Sequence, residues 1–183
     1  MKNFTKPFKC TFFLVKAVST ILLIELSIIL YSPTLSANDN KAPFSISGNL
    51  KITHISDGDS LRSGNLRIRL FGIDAPEKKQ KCTNVDGLQW DCGIAAQKAL
   101  KRLVESVPKI SCDLMNVDRY SRLVMRCYAG ETDVAAALVR EGLALAYRQY
   151  SSLYIRDENA AKITKAGMWR GSFTKPWTWR RAQ

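Results

Sequence analysis

The chain has 183 residues, of which 46% are hydrophobic and 24% are charged, so it can form one domain with a real core and little more. Its 28 lysines and arginines exceed its 16 acidic residues, which gives a formal net charge of +12. A surface this positive attracts polyanions, with nucleic acid first and anionic lipid or acidic polysaccharide next, and the charge alone does not choose among them. No internal repeat or low-complexity stretch interrupts the sequence.

The first 37 residues have the pattern of an export signal. A basic start precedes an apolar run from Ala17 to Tyr31, which is broken only by Glu25, and small residues then lead to Ala37. We expect cleavage after Ala37. An uncleaved membrane anchor is the alternative, although Glu25 and the short run argue against a good transmembrane helix. Either outcome places the domain outside the cytoplasm: cleavage leaves it periplasmic or secreted with a charge of +9 on the remaining chain, and an uncleaved leader anchors it to the membrane.

A short linker is expected after the leader. Residues 38–45 are polar and contain one proline, and the folded domain is expected over residues 46–170. Ile46 to Ser56 has the composition of a first strand. Ser60 to Arg62 and Leu66 to Ile73 then predict a hairpin, because a turn signature containing glycine separates them.

The second strand of this hairpin has two distinct faces. Between Leu66 and Ile73 the leucine and isoleucine residues at alternate positions face one side, while Arg67 and Arg69 face the other. This period of two is expected of a strand with one buried face. Arg69 is therefore predicted to leave the core side of the sheet.

Acidic side chains flank the same hairpin. Asp59 lies in the turn DGDS before the first strand, while Asp74 and Glu77 follow the second strand, which Pro76 must end. If the two strands are neighbours, these acids converge with Arg69. Two carboxylates and a freed backbone carbonyl suit Ca²⁺, an arginine fork matches two phosphate oxygens, and Glu77 is left to handle a proton on water. The alternative is that these are ordinary turns and loop ends.

The cysteine pattern agrees with an exported domain. Cys10 falls in the leader. The domain therefore has four cysteines, an even number, which allows three possible pairings. Cys112 and Cys127 are placed symmetrically about a turn, so an antiparallel hairpin would set them opposite each other. Cys82 is then left to pair with Cys92. The alternative is a metal site, but no Cys-x-x-Cys occurs.

The remaining elements alternate between helices and strands. Residues 78–91 are expected to be a loop held by its disulfide, with a lid over the site as the alternative. Apolar residues at helical spacing, turn residues and caps then predict a helix over Gly93 to Val107, strands over Lys109 to Met115 and Leu123 to Tyr128, and helices over Val134 to Glu141 and Ser152 to Ala166.

The chain ends in a basic aromatic tail, residues 171–183. Tryptophans interleaved with arginines can stack on bases, but they more often pack a chain end onto its domain. Five strands and about three α-helices predict a mainly β, α+β fold: a small, partly open Greek-key barrel of the oligonucleotide-binding (OB) type.

Three separated motifs carry a resemblance to a known family. DGDS, RLFGIDAPE and DRYSR, in that order and spacing, resemble the thermonuclease (staphylococcal-nuclease-like) family, whose pattern is DGDT, RL-x-x-[IV]D-x-PE and D-[KR]-YGR. The resemblance covers residues 46–170 and implies the same five-stranded OB-fold barrel. Ser60 replaces the usual threonine, Ala75 replaces a residue that acts through its backbone, and Ser121 replaces a turn glycine.

The resemblance also implies roles for individual residues. It assigns Arg69 and Arg122 to the phosphate and Glu77 to the attacking water. A Ca²⁺ ion is implied as cofactor. Nucleotide contacts are implied in the DRYSR turn and in the segment between the last two predicted helices. The metal ligands are Asp59, Asp74 and the Ala75 carbonyl, and the substrate-binding residues are Arg119, Tyr120, Tyr147 and Tyr150.

These observations together predict an enzyme. We expect an exported, Ca²⁺-dependent, sugar-nonspecific endonuclease, a phosphodiesterase that acts on DNA and RNA as a monomer without a stable protein partner and without a membrane span once the leader is cleaved. One alternative is a non-catalytic binding module of the same barrel. Another is an envelope protein that associates with an acidic polysaccharide.

Overall fold

Residues 50–183 are described by a computed structural model; the predicted leader, the linker and the start of the predicted first strand lie outside them. In chain order the strands are β1 (His54–Ile55), β2 (Ser60–Ser63), β3 (Leu66–Leu70), β4 (Ile73–Asp74), β5 (Cys82–Thr83), β6 (Gln89–Trp90), β7 (Ser111–Val117), β8 (Leu123–Ala129), β9 (Thr132–Asp133) and β10 (Leu145–Ala146). The helices are α1 (Cys92–Glu105), α2 (Val134–Arg140), α3 (Ile155–Ile163), a 3₁₀ helix (Gly167–Arg170) and α4 (Pro176–Arg181).

Five strands form the continuous path of the main sheet, in the order β1-β2-β3-β8-β7. The β3 and β8 strands run parallel and the other neighbours run antiparallel. The two ends of this path are linked by one bridge between Leu50 and Ile110, so the sheet curves into a partly open barrel. The predicted α+β architecture is confirmed.

The core fills the space between the curved sheet and two helices. Ile68 and Leu70 of β3 are buried, as their alternation predicts, and they share this core with Leu100 of α1 and with α2. Asp133 caps α2 by accepting a hydrogen bond from the Ala136 amide. The core therefore holds β2 and β3 firmly at the end where the acidic residues lie.

Several predicted boundaries are wrong. Ile46 to Ser56 is not one continuous strand, since its described part contains the short strand His54–Ile55 and a separate isolated bridge at Leu50. The strand predicted over Leu66 to Ile73 is broken after Leu70, because Gly72 has φ 73° and turns the chain before β4. The predicted loop 78–91 contains the β5–β6 hairpin. The segment between the two last predicted helices, for which no strand is predicted, contains β10, which pairs with β4. The helix predicted from Ser152 to Ala166 is shorter, Ile155–Ile163.

Both predicted disulfides are present. Cys112 and Cys127 are directly opposite in the β7–β8 ladder, and Cys82 is bonded to Cys92 between β5 and the start of α1. The second bond fixes the segment after Glu77 to α1. Within residues 50–183, no helix has both the length and the apolar character needed to cross a bilayer.

Candidate active site

The pairing of β2 with β3 brings the first two acidic residues to one end of the sheet. Ser60 is opposite Arg69, and the Leu70 amide donates to the Asp59 carbonyl at 2.8 Å, so Asp59 lies beside the end of β3. Asp74 is in the next short strand, held there by β10. Their side chains are 3% and 0% exposed, which is unusual for carboxylates unless they are paired.

Arg69 joins the two aspartates. Its Nη1 donates to Asp59 Oδ1 at 2.8 Å, and its Nη2 donates to Asp74 Oδ1 at 2.5 Å. The planar guanidinium spans both acids, which a lysine ammonium could not do with the same geometry. Because its own side chain is 15% exposed, the guanidinium can also be reached from outside.

The two aspartates retain room for a cation. Each carboxylate has about four lone-pair positions. Asp59 uses three of them, for Arg69, the Ser60 hydroxyl and the Ala75 amide, and Asp74 uses three for the two guanidinium groups that contact it. One position therefore remains on Oδ2 of each residue. Within residues 50–183 no three histidine, cysteine or acidic side chains are grouped to share a metal, so a carbonyl such as that of Ala75 would have to complete the set.

A second guanidinium, which the sequence motifs do not indicate, completes this cluster. Arg180 of α4 donates through Nη2 to both oxygens of Asp74, at 3.0 and 2.9 Å, and through Nη1 to Glu77 Oε1 at 2.8 Å. Burial lowers the pKa of Arg180, but the hydrogen bonds to Asp74 and Glu77 outweigh it and hold that pKa above its usual value. Arg180 therefore stays charged at the mouth of the site.

The electrostatic balance of the cluster favours a cation. Three carboxylates, Asp59, Asp74 and Glu77, face the guanidinium groups of Arg69 and Arg180, which leaves one negative charge uncompensated when all are ionised. Burial raises the pKa of Asp74 and the charge of Asp59 raises it further, while Arg180 and Arg69 lower it. A cation bound here would relieve the repulsion between the two aspartates.

Asp57, in the turn before β2, adds to this negative potential. Burial raises its pKa to about 7, and the charge of the neighbouring Asp59 contributes to the rise. Its Oδ1 accepts a hydrogen bond from the Asp59 amide at 3.1 Å, so it also supports the turn that presents Asp59. At neutral pH a positive charge in the cluster would favour the ionised form of Asp57.

Close backbone packing holds Glu77 in place. The Glu77 amide donates to the side-chain oxygen of buried Gln80, and the start of α1 passes directly against the Glu77 carbonyl at Gly93. A Cβ at position 93 would lie 1.8 Å from that oxygen, a distance that real contacts do not reach. Glycine is therefore required here for close approach rather than for an unusual backbone angle.

Gly93→Ala should displace Glu77. The backbone at Glu77 or the first turn of α1 must move, so we expect a loss of about 1–3 kcal/mol in the free energy of unfolding, together with reduced hydrolysis. Gly64→Ala is the matched control, because it meets nothing within 4 Å and carries only the strain of a positive φ at the far end of the hairpin. Urea unfolding and a nuclease assay should show that the control loses stability alone; equal activity in both variants would contradict the assigned packing.

The DRYSR turn between β7 and β8 forms its own network. Arg122 Nε donates to Asp118 Oδ2 at 2.7 Å, and its guanidinium lies over the Tyr120 ring. Arg119 Nη2 donates to the Tyr120 hydroxyl at 2.8 Å. Ser121, where the family pattern has glycine, takes φ 57°. Arg122 is thus paired within the turn and does not join the carboxylate cluster in this structure, and its role toward phosphate stays a prediction.

An open cavity connects the DRYSR turn with the C-terminal tail, residues 171–183. It has a volume of 710 Å³, and Arg119, Tyr120, Tyr147 and Arg180 are among its lining residues. Tyr147 stacks on Trp177 of α4 with ring centroids 5.2 Å apart and planes 7° apart, and it contacts Tyr150 edge-on. Arg119, Tyr120 and Tyr147 therefore line one basic, aromatic groove that reaches Arg180, whereas Tyr150 is not among its lining residues.

Similarity to known proteins agrees with this geometry. A sequence model of the family described as Staphylococcal nuclease homologue matches residues 67–171, more than half of the chain. The chain is 30% identical over 118 residues to the succinoglycan biosynthesis protein ExoI of Rhizobium meliloti, covering 63% of this chain and 62% of that protein, which is less than two thirds of its length. It is 30% identical over 141 residues to an uncharacterized endonuclease of Haemophilus influenzae, covering 73% of each. A micrococcal nuclease of Shigella flexneri is 29% identical over 153 residues, 72% of this chain and 80% of that one.

The α+β fold and the family match define the class of this protein as a staphylococcal-nuclease-like domain. The chain belongs to the staphylococcal nuclease family, as the DGDS, RLFGIDAPE and DRYSR motifs predict.

Proposed function

We propose that this protein is an exported, Ca²⁺-dependent endonuclease that hydrolyses phosphodiester bonds in both DNA and RNA. The observation that carries the proposal is the buried pair of aspartates bridged by Arg69, with one lone-pair position remaining on Oδ2 of each. Hard carboxylate oxygens and a nearby carbonyl are the ligands that Ca²⁺ prefers. When bound, the ion supplies positive charge beside a phosphate oxygen.

The remaining groups fit the steps of hydrolysis. Attack on phosphorus builds charge on its equatorial oxygens, so positioning and electrostatic stabilisation supply most of the catalysis. Arg69, whose Nη1 and Nη2 each donate one hydrogen bond to an aspartate, is proposed to donate its remaining N–H groups to those oxygens, and Arg122 is proposed to donate to them from the turn. The 29% exposed carboxylate of Glu77 is proposed to hold the attacking water and accept its proton.

The substrate and location follow from the surface and the disulfides. The groove lined by arginines and aromatic rings suits a flexible polyanion with planar bases, a description that DNA and RNA share. Two disulfides are typical of proteins from oxidising compartments, which supports export through the predicted leader at residues 1–37. The linker 38–45, the domain 46–170 and the tail 171–183 are retained as the proposed division of the chain.

Circular single-stranded DNA gives the most direct test, because it has no ends. We expect Ca²⁺ to produce linear molecules and then fragments, with the same behaviour on RNA, and excess EGTA to abolish cleavage. The folded state in EGTA is checked by circular dichroism, so that lost activity is not mistaken for unfolding. A folded protein that leaves circular DNA intact in Ca²⁺ contradicts the proposal.

A polysaccharide-associated role is the second candidate, supported by the similarity to a succinoglycan biosynthesis protein and by the net charge. Retention on heparin without cleavage of either nucleic acid would favour it over the nuclease.

A further inference from the structure

We propose that Arg180 is a positioning residue for the hydrolysis proposed above, and that it holds the carboxylates of Glu77 and Asp74 in their working orientation. The inference rests on the proposed function. Its basis is that one guanidinium contacts both acids at once, with three hydrogen bonds between 2.8 and 3.0 Å. Each of these bonds fixes a carboxylate that is assigned to the metal or to the water.

The backbone of Glu77 is tied to the same part of the chain as its side chain. The Gln80 side chain is fully buried; its Oε1 accepts from the Glu77 amide at 3.3 Å and its Nε2 donates to the Thr174 carbonyl at 2.7 Å. One polar side chain thus connects Glu77 to the residue two positions before α4. Arg180 makes the second connection, from the other end of that short helix.

The C-terminal segment, residues 172–181, is anchored well before it reaches the site. Ser172 forms a two-bond bridge with Thr83, beside the disulfide at Cys82, and Pro176 is buried at the start of α4. The stacking of Trp177 on Tyr147 adds a further contact. A segment held at so many points is built into the wall of the site, which favours a constant positioning role over that of a flap that opens.

Arginine suits this position because its donors point in two directions. Nη2 serves both oxygens of Asp74, which is 0% exposed, while Nη1 reaches outward to Glu77, which is 29% exposed. A lysine could pair with either acid but could not fix the angle between them. Without the Arg180 guanidinium, the Glu77 backbone would keep its hydrogen bond to Gln80, but the Glu77 carboxylate would lose the contact that orients it.

If Arg180 instead blocked the site, the opposite result would be expected on its removal. If Arg180 only filled the place of a cation or phosphate, removing it would free the carboxylates and raise activity or leave it unchanged. If Arg180 positions Glu77, removing it should lower kcat about 10-fold to 100-fold, the usual cost of losing a group that orients a ligand, with a much smaller change in KM.

The experiment compares Arg180→Ala, Arg180→Lys and Arg170→Ala in the full chain. Arg170 is an exposed arginine at the end of the 3₁₀ helix with no assigned role, and it serves as the matched control. We expect both Arg180 variants to lose kcat, millimolar guanidinium to restore part of the activity of Arg180→Ala alone, and the control to match the wild type. Activity of Arg180→Ala at or above that of the wild type, or a loss that guanidinium does not relieve, overturns the proposal.

A double-mutant cycle in EGTA separates this inference from the proposed function. Urea unfolding of Arg180→Ala, Glu77→Ala and the double variant measures their coupling with no metal and no substrate present. We expect Arg180→Ala to shift the urea midpoint less in the Glu77→Ala background than in the wild type. Additive effects overturn the positioning contact even if the enzyme is active, whereas an inactive wild type with coupled effects overturns only the nuclease assignment.

Discussion

Replacing Glu77 with glutamine should lower kcat by about 100-fold to 10,000-fold, the range that a general base contributes. Glutamine has nearly the same shape, and its side-chain oxygen can still accept the hydrogen bond that Arg180 now gives to the carboxylate. It cannot take a proton from water at neutral pH. The Glu77 side chain is 29% exposed and lies outside the hydrophobic core, so the variant should fold and unfold much like the wild type.

The measurement is single-turnover cleavage of a labelled oligonucleotide at saturating Ca²⁺, which reports the chemical step without product release. Glu131→Gln is the matched control, since it makes the same chemical change at an exposed residue just before β9. Wild-type rates in both variants would remove Glu77 from the mechanism. A loss of Ca²⁺ binding in Glu77→Gln alone would instead move it into the metal site.

The half of the site built on β2 and β3 could be predicted from the sequence because local rules determine it. A period of two places Arg69 away from the core, and a hairpin with a short turn sets Ser60 opposite Arg69. The DGDS turn and Pro76 then fix where the acids leave the strands. The structure places Asp59, Arg69 and Asp74 together for these reasons.

Arg180 could not be predicted in this way, because its partners are 103 and 106 residues earlier in the chain. Nothing in the local pattern of the tail distinguishes Arg180 from Arg181, which is exposed. The sequence does contain a weaker signal. A buried acidic cluster in an exported domain needs compensating positive charges, and the tail contains several basic side chains. Packing of the C-terminal segment, which depends on Gln80 and the Cys82–Cys92 disulfide, decides which one is used.

Boundary errors have a similar origin. The Leu66 to Ile73 run is apolar enough to be one strand, but the chain must turn at Gly72 so that Asp74 can pair with Leu145 of β10. That turn is also what directs Asp74 toward Arg69. Tertiary pairing therefore overrides a local preference at the point where the site is built.

Of these single changes, Arg69→Ala should cost the most stability, because it removes the cation shared by two buried carboxylates. Asp59 loses its one guanidinium partner among residues 50–183, while Asp74 retains Arg180. Breaking a buried pair on one side leaves an uncompensated charge, so we expect a loss of about 3–5 kcal/mol in the free energy of unfolding in EGTA. Hydrolysis should fall by about 100-fold to 1000-fold from the lost contact with the phosphate.

Ca²⁺ separates these two effects. A divalent ion between the aspartates can replace the missing charge. Adding Ca²⁺ should therefore raise the free energy of unfolding of Arg69→Ala by more than that of the wild type. It should not restore the activity of the variant. Arg69→Lys should recover part of the stability because it keeps the charge, but little of the activity because an ammonium cannot span both acids.

Arg67→Ala is the matched control for both measurements. Arg67 lies two residues earlier on the same face of β3, is exposed, and donates a 3.3 Å hydrogen bond to the Tyr120 carbonyl. Its removal should change the free energy of unfolding by less than about 1 kcal/mol. If urea unfolding in EGTA shows equal losses for the two variants, Asp59 and Asp74 do not depend on Arg69, and the cluster is not the electrostatic centre of the site.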